Sequence, residues 1–401
     1  MSVPFLFLCA IGLAANSAFA SPIRQGQIHQ KRYSSSTAAS ITIPFYGSNG
    51  DFDFVDDPRV TYKLNPDDDE QHTFHPMVDT GSTGILLGAG NYPDYDLQKD
   101  WIATFPAGHS YLSSSQYLYT GYWVDSTIHF QDAPVTAQVA ILVVTQLVTC
   151  TDYDNSNPSY CPPEATTLTC TGTDCTSSYF GVGFGREHDG QSQNTPDKNA
   201  LLNINSINNM PVPSNYTVGY AVTEAGITVG LTEENTDGYT MIKLTQNTQF
   251  PSSESQYDWL PVEGCLQVTV PGSSATSPCV SSSFLLDTGI DHSYVTLTDA
   301  AGLSGWTWSK TSQSDYQYIG DGYQFTLNFG SDPYPATYSF VSGTVDGVTD
   351  PLAPTQILAH LNETAGADAY INPGRYFYKV NNIVFDATNG YWGVQARSAS
   401  S

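Results

Sequence analysis

The tripeptide Asp-Thr-Gly stands at Asp79–Gly81 and again at Asp287–Gly289, each time after an apolar run, Met77-Val78 in the first half and Phe284-Leu285-Leu286 in the second. Each run reads as a buried strand, and the Thr-Gly after it as a sharp backbone corner. A carboxylate at the mouth of a buried strand is costly unless it is hydrogen-bonded, paired or used in chemistry. One such carboxylate per half predicts two similar lobes that share a site built from Asp79 and Asp287.

The rest of the composition places this fold outside the cell. Residues 1–20 read as a secretory signal, with an apolar stretch from Val3 to Ala15 and small residues at Ala18 and Ala20, where a signal peptidase cuts. Lys31-Arg32 is a dibasic processing site that makes 21–32 a short pro-segment. No later stretch has the length and apolarity of a membrane-spanning helix, so a secreted, extracellular chain is expected. Without Cys9, the cysteines are Cys150, Cys161, Cys170, Cys175, Cys265 and Cys279, an even set that predicts disulfides. Cys265 and Cys279 flank a Gly-Ser-Ser turn and form the most direct pair, while the connectivity among residues 150–175 stays open. Zinc is disfavoured there, because no Cys-x-x-Cys or nearby His pair completes a ligand set.

The formal charge is −26, and loss of residues 1–32 removes Arg24, Lys31 and Arg32 but no acid. Nucleic acid and anionic membranes are therefore poor partners, and the acidic surface fits either tolerance of low pH or solubility alone. Asn215 and Asn362 head N-glycosylation sequons, which with the dibasic site fit a fungal secreted protein.

From Ser40 onward, short β-branched and aromatic segments alternate with Gly, Pro, Asn and Ser clusters, the signature of an all-β chain. Ile41–Tyr46 reads as the first strand, Asp51–Gln71 as an acidic surface stretch, and residues 107–119 as a hairpin with a polar Ser tip. Lys198–Asn208 carries a helical pattern, and Tyr376–Val380, Ile383–Asp386 and Tyr391–Val394 read as closing strands. Pro211 and Pro213 mark a boundary between an N-terminal lobe, 33–212, and a C-terminal lobe, 213–401.

On Val78-Asp79-Thr80-Gly81-Ser82, Leu286-Asp287-Thr288-Gly289, Gly181-Val182-Gly183 and the closing Val384-Phe385-Asp386 with Asn389-Gly390 and Gly393, the chain resembles the pepsin-like aspartic proteases over most of 40–396. The resemblance implies a bilobal all-β fold with an interlobe cleft, a polypeptide substrate, a monomer, no cofactor and no metal. It implies that Asp79 and Asp287 are the catalytic pair. It also implies that Thr80 and Thr288 tie the two loops together, that Gly81 and Gly289 allow their close approach, and that Ser82 supports Asp79. Two adjacent carboxyls cannot both ionise easily, so they share a proton, and one acts as base while the other acts as acid.

The resemblance breaks at several points. A Ser or Thr follows the tripeptide in the family, but Ile290 follows the second copy, so Asp287 is expected to lack a donor. The family's Tyr-Gly-Thr-Gly flap is replaced by Tyr111-Leu112-Ser113-Ser114-Ser115, with Tyr111, Ser113 and Ser114 as the candidate flap residues. The pro-segment is short for one that covers a cleft, and near the C-terminus an apolar-apolar-Gly motif becomes Ile371-Asn372-Pro373-Gly374.

Two readings follow: a secreted acid endopeptidase, or a catalytically silent relative whose cleft binds a protein or glycan. His72 and His75 have metal-like spacing without a third ligand and read as structural. The aromatics Tyr111, Tyr117, Tyr119, Tyr122 and Trp123 either fill half-buried strand faces or line a groove. From the sequence alone, Ile290→Thr is expected to raise acid protease activity by restoring the missing donor.

Overall fold

The computed structural model describes residues 33, 39–188, 191–248, 256–272, 276–298, 308–310, 317–362 and 368–397. The signal and pro-segment readings, with Lys31-Arg32, and the side chain of Asn362 lie outside the described residues. The described residues are mostly β and form ten-, nine- and six-stranded sheets with one small hairpin. The ten-stranded sheet, from Tyr62–Lys63 to Met210–Pro211, makes the first lobe, and the nine-stranded sheet, within 262–372, makes the second. This is the bilobal all-β architecture expected from the sequence.

The six-stranded sheet joins the lobes. It runs in the order Ile41–Ile43, Gly226–Val229, Gly219–Thr223, Asn381–Asp386, Tyr391–Ala396, Thr240–Lys243, so the beginning, middle and end of the chain meet in it. Pro211 ends the last strand of the first lobe, Met210–Pro211, and Pro213 follows it before the chain enters the shared sheet again at Gly219–Thr223. The halves are therefore not independent units, because residues 41–43 pair across the boundary with 227–229.

The central strand of the first lobe, Val135–Cys150, shows how the sequence specifies its layer. Ile141 and Val143 face the main core while Leu142 and Val144 face a second cluster with Leu86 and Trp123, so the run is apolar on both faces. Each fully buried aliphatic side chain of this kind contributes about 1.5–3 kcal/mol.

Three segments differ from expectation. Lys198–Asn208 forms short 3₁₀ turns, Pro196–Lys198 and Ala200–Leu202, followed by the strand Ile204–Ile207. Asn199 caps Leu201 N–H and Asn203 Nδ2 bonds back to Pro196 and Asn199 carbonyls, which closes tight turns in place of an α-helix. Tyr376–Val380 falls largely in a 3₁₀ turn, Arg375–Lys379, with Phe377 and Tyr378 fully buried. The acidic stretch 51–71 is only partly superficial: Phe54, Val60 and Tyr62 enter the core, and Asp57 pairs with Arg375 at 2.8 Å.

Acidic groups also meet where the lobes touch. Asp258 accepts from Gly185 N at 2.9 Å and from Asn247 Nδ2 at 2.6 Å, and Glu187 lies beside it, buried. Burial, and then the Asp258 charge, push Glu187 from the usual 4.5 up to about 9. A carboxyl whose folded value is raised holds its proton more tightly than in the unfolded chain. Its contribution is full in acid and is lost as pH rises from about 4.5 to 9. The loss is at most about 1.4 kcal/mol per pH unit for one proton. Thermal unfolding should therefore show Tm falling from pH 4 to pH 8. Glu187→Gln should flatten that fall, raising Tm at pH 8 relative to the parent while leaving Tm at pH 4 nearly unchanged.

Candidate active site

Each Asp-Thr-Gly loop is held by its own sheet. Met77–Asp79 runs parallel to Ser178–Val182, with Asp79 opposite Gly181, and Thr83–Gly88 returns antiparallel on the same strand. In the second lobe Val280–Phe284 runs parallel to Ala369–Asn372, and Ser293–Thr298 returns antiparallel to it. Asp79 and Asp287 are thus delivered to the lobe junction from equivalent strand ends, and both are buried.

The loops lock to each other through their threonines. Thr80 Oγ1 donates to Leu286 O at 2.5 Å and accepts from Thr288 N at 3.0 Å. In the reciprocal pair, Thr288 Oγ1 donates to Val78 O at 2.6 Å and accepts from Thr80 N at 3.1 Å. Tyr378 OH, from the turn at Arg375–Lys379, adds a 2.8 Å bond to Leu286 O and lies 3.2 Å from Thr80 Oγ1. Glycine is required at both corners. A Cβ on Gly289 would lie 2.6 Å from Asp79 Oδ1, and one on Gly81 would collide with the Asp287 carboxylate.

The two carboxyls face each other within hydrogen-bond reach. Asp79 Oδ1 accepts Gly81 N–H at 2.7 Å and its Oδ2 accepts the Ser82 hydroxyl at 2.5 Å. Asp287 Oδ1 accepts Gly289 N–H at 2.6 Å. Its Oδ2 is also satisfied: Asn372 Nδ2 donates to it at 2.7 Å. The sequence expectation of a missing donor at Asp287 is therefore wrong, because the altered Ile371-Asn372-Pro373-Gly374 segment carries a replacement. Burial is the largest cause, and the Asp287 charge and hydrogen bond add to it, in pushing Asp79 from 3.8 up to about 8 against the Ser82 and Gly81 bonds. The pair therefore holds a shared proton more tightly than two separate carboxyls would.

The pair sits on the floor of a cleft of about 750 Å³, within the range of small-molecule and peptide sites. Ser113 and Ser114, from the tip of the hairpin Ala107–Leu112/Tyr117–Phe130, line it, and Tyr294 OH of the second lobe donates to Ser114 O at 3.2 Å across the opening. Tyr111 is not among the lining residues, contrary to the flap expectation. It is buried behind the hairpin, stacked on Tyr153 at 3.8 Å with its OH on Cys150 O, because inward side chains alternate along a strand and its neighbour Leu112 takes the cleft side. Tyr117, Tyr119, Tyr122 and Trp123 likewise do not line the cleft, whereas Tyr179, Tyr294 and Tyr370 do.

The remaining predicted residues are placed as follows. Disulfides join Cys150–Cys161, Cys170–Cys175 and Cys265–Cys279. Asn215 is exposed in a turn, and Asn362 ends the strand Ile357–Asn362. His72 binds Asp69 and His75 lies against Thr61, and no group of three or more potential ligands forms a metal site among the described residues.

No family model matches the chain, and no curated protein matches it. Among solved structures, an aspartic proteinase from Irpex lacteus is similar, with 15% identity and a TM-score of 0.43 over 90% of this chain and 98% of that one.

The threonine lock makes a direct prediction. Thr288→Val leaves Val78 O and Thr80 N–H buried without their partner, which costs about 1–3 kcal/mol per group. Urea unfolding should register that loss, and Thr288→Ser should recover most of it.

Proposed function

We propose that the chain is an acid-acting aspartic endopeptidase that hydrolyses peptide bonds with Asp79, Asp287 and a water bound between them. The observation that carries this reading is the facing pair itself, two buried carboxyls within hydrogen-bond reach at the floor of a peptide-sized cleft. An extended peptide lies under the hairpin tip, where Ser113 and Ser114 offer backbone and hydroxyl groups to it. The ionised carboxylate removes a proton from the water as it attacks the scissile carbonyl, and the protonated carboxyl donates to the carbonyl oxygen. The resulting tetrahedral intermediate collapses when the amine leaving group takes a proton back from the pair. The reaction draws on no cofactor.

The extracellular setting belongs to this proposal. A signal at 1–20, processing after Lys31-Arg32, disulfides and glycans at Asn215 and Asn362 describe a secreted, monomeric enzyme at work in acid. The strongly acidic composition fits that setting, since it limits the positive charge that builds up at low pH.

Purified protein incubated with a denatured protein substrate between about pH 3 and 6 should cleave it, and a statyl-type transition-state mimic should block cleavage. Asp79→Asn should reduce kcat by at least about a hundredfold, in line with loss of a general acid–base group. If wild type and Asp79→Asn are equally inert and neither binds the mimic, the chain is instead the silent cleft-binding relative.

A further inference from the structure

We propose that Asn372 is a positioning residue that replaces the hydroxyl absent at Ile290 and sets the resting polarity of the pair, with Asp287 as the carboxylate and Asp79 as the proton carrier. Its catalytic consequence rests on the peptidase reading above, but the polarity is a property of the two carboxyls whatever the substrate.

The argument begins with which donors can reverse. A hydroxyl such as Ser82 both donates and accepts, so it supports Asp79 in either protonation state by rotating. An amide NH₂ only donates. Asn372 cannot flip to offer its oxygen to Asp287, because Oδ1 already accepts Gly374 N–H at 3.0 Å. Both oxygens of Asp287 therefore face donors that cannot accept, Gly289 N–H on Oδ1 and Asn372 Nδ2 on Oδ2. Each favours the charged form. Asp79 has one such donor, Gly81 N–H, and one reversible hydroxyl. A single shared proton is better accommodated on Asp79.

The fold holds Asn372 in place for this role. It is buried, it lies on the strand Ala369–Asn372 between Val280–Phe284 and Ser293–Thr298, and its carbonyl accepts the Ser293 hydroxyl at 2.7 Å. The first lobe solves the same problem differently. A Cβ on Gly181 would lie 2.7 Å from Ser82 Oγ, so glycine on the flanking strand makes room for the hydroxyl. The second lobe has no hydroxyl after its tripeptide, and the longer amide reaches in from the flanking strand instead.

Other titratable and charged groups surround the pair. Asp79 stands opposite, Arg186 Nε donates to Gly81 O at 2.7 Å, and Glu263, Tyr179, Tyr294 and Tyr370 line the same cleft. Tyr378 lies beneath the loops, its phenol held well above the usual range, mainly by burial. Farther along the same loop His292 pairs with Asp291 at 3.1 Å, with Arg375 acting on Asp291. The side-chain donor on the outer oxygen of Asp287 is Asn372 Nδ2.

The test is a pH titration of the aspartate side-chain carboxyl carbons by ¹³C NMR, with the two signals assigned by Asp79→Asn and Asp287→Asn. In wild type the Asp287 signal should titrate below that of Asp79. Asn372→Leu, of similar size but without a donor, should move the Asp287 midpoint up by at least one pH unit, about the tenfold change expected for one charge-assisted hydrogen bond. Adding Ile290→Thr to Asn372→Leu should bring it back down. Ile290→Thr alone, on the half-buried cleft wall, should leave the midpoint in place, because Oδ2 already has its donor. In the cleavage assay Asn372→Leu should lower kcat about tenfold or more with little change in KM, and shift the acid limb of kcat/KM to higher pH. An Asp287 midpoint that does not move in folded Asn372→Leu overturns the proposal, as does a large downward move in Ile290→Thr alone. Failure of the peptidase reading shows up separately, as a wild type that neither cleaves nor binds the mimic while the carboxyl titrations still report on Asn372.

Discussion

The reciprocal threonine lock is the contact on which the site depends. Two loops that end in buried carboxyls repel each other whenever both groups ionise, and only bonds of comparable strength hold them face to face. Thr80 and Thr288 supply those bonds in duplicate, each hydroxyl donating to a carbonyl and accepting an N–H of the opposite loop. The lock satisfies buried backbone groups that no strand pairs, so removing either hydroxyl leaves polar atoms exposed to the apolar interior. Tyr378 reinforces it from below, and the six-stranded sheet keeps the two loops in register by joining the lobes that carry them.

Around this lock the two halves are similar but not identical. Asp79 is supported by the hydroxyl three residues after it, and Asp287 by an amide on the flanking strand. The difference is chemical, because one donor reverses and the other does not. A pair built from equivalent strands therefore becomes directional before any substrate arrives.

A preference for acid recurs at two separate places. Asp79 at the cleft and Glu187 at the lobe contact are both pushed up by burial beside another carboxyl. In each case burial and the neighbouring carboxyl favour the protonated form.

The sequence by itself determined the repeated Asp-Thr-Gly, the all-β class, the two lobes, the polar hairpin tip and the Cys265–Cys279 pairing, since each is written in local pattern: apolar runs, turn residues and close cysteine spacing. It misread Lys198–Asn208 and Tyr376–Val380 because short apolar and aromatic runs fit more than one period, and local side-chain caps or a buried tyrosine decided between them. It also misplaced Tyr111, whose direction follows from strand alternation and the stacking surface of Tyr153. Only the tertiary structure decided how Asp287 is satisfied. Asn372 lies 85 residues from it in sequence, and nothing in the spacing of Ile371-Asn372-Pro373-Gly374 indicates an amide aimed at a carboxylate. That contact exists because the parallel pairing of Val280–Phe284 with Ala369–Asn372 brings Asn372 close to the loop that carries Asp287, and a buried oxygen there requires a donor.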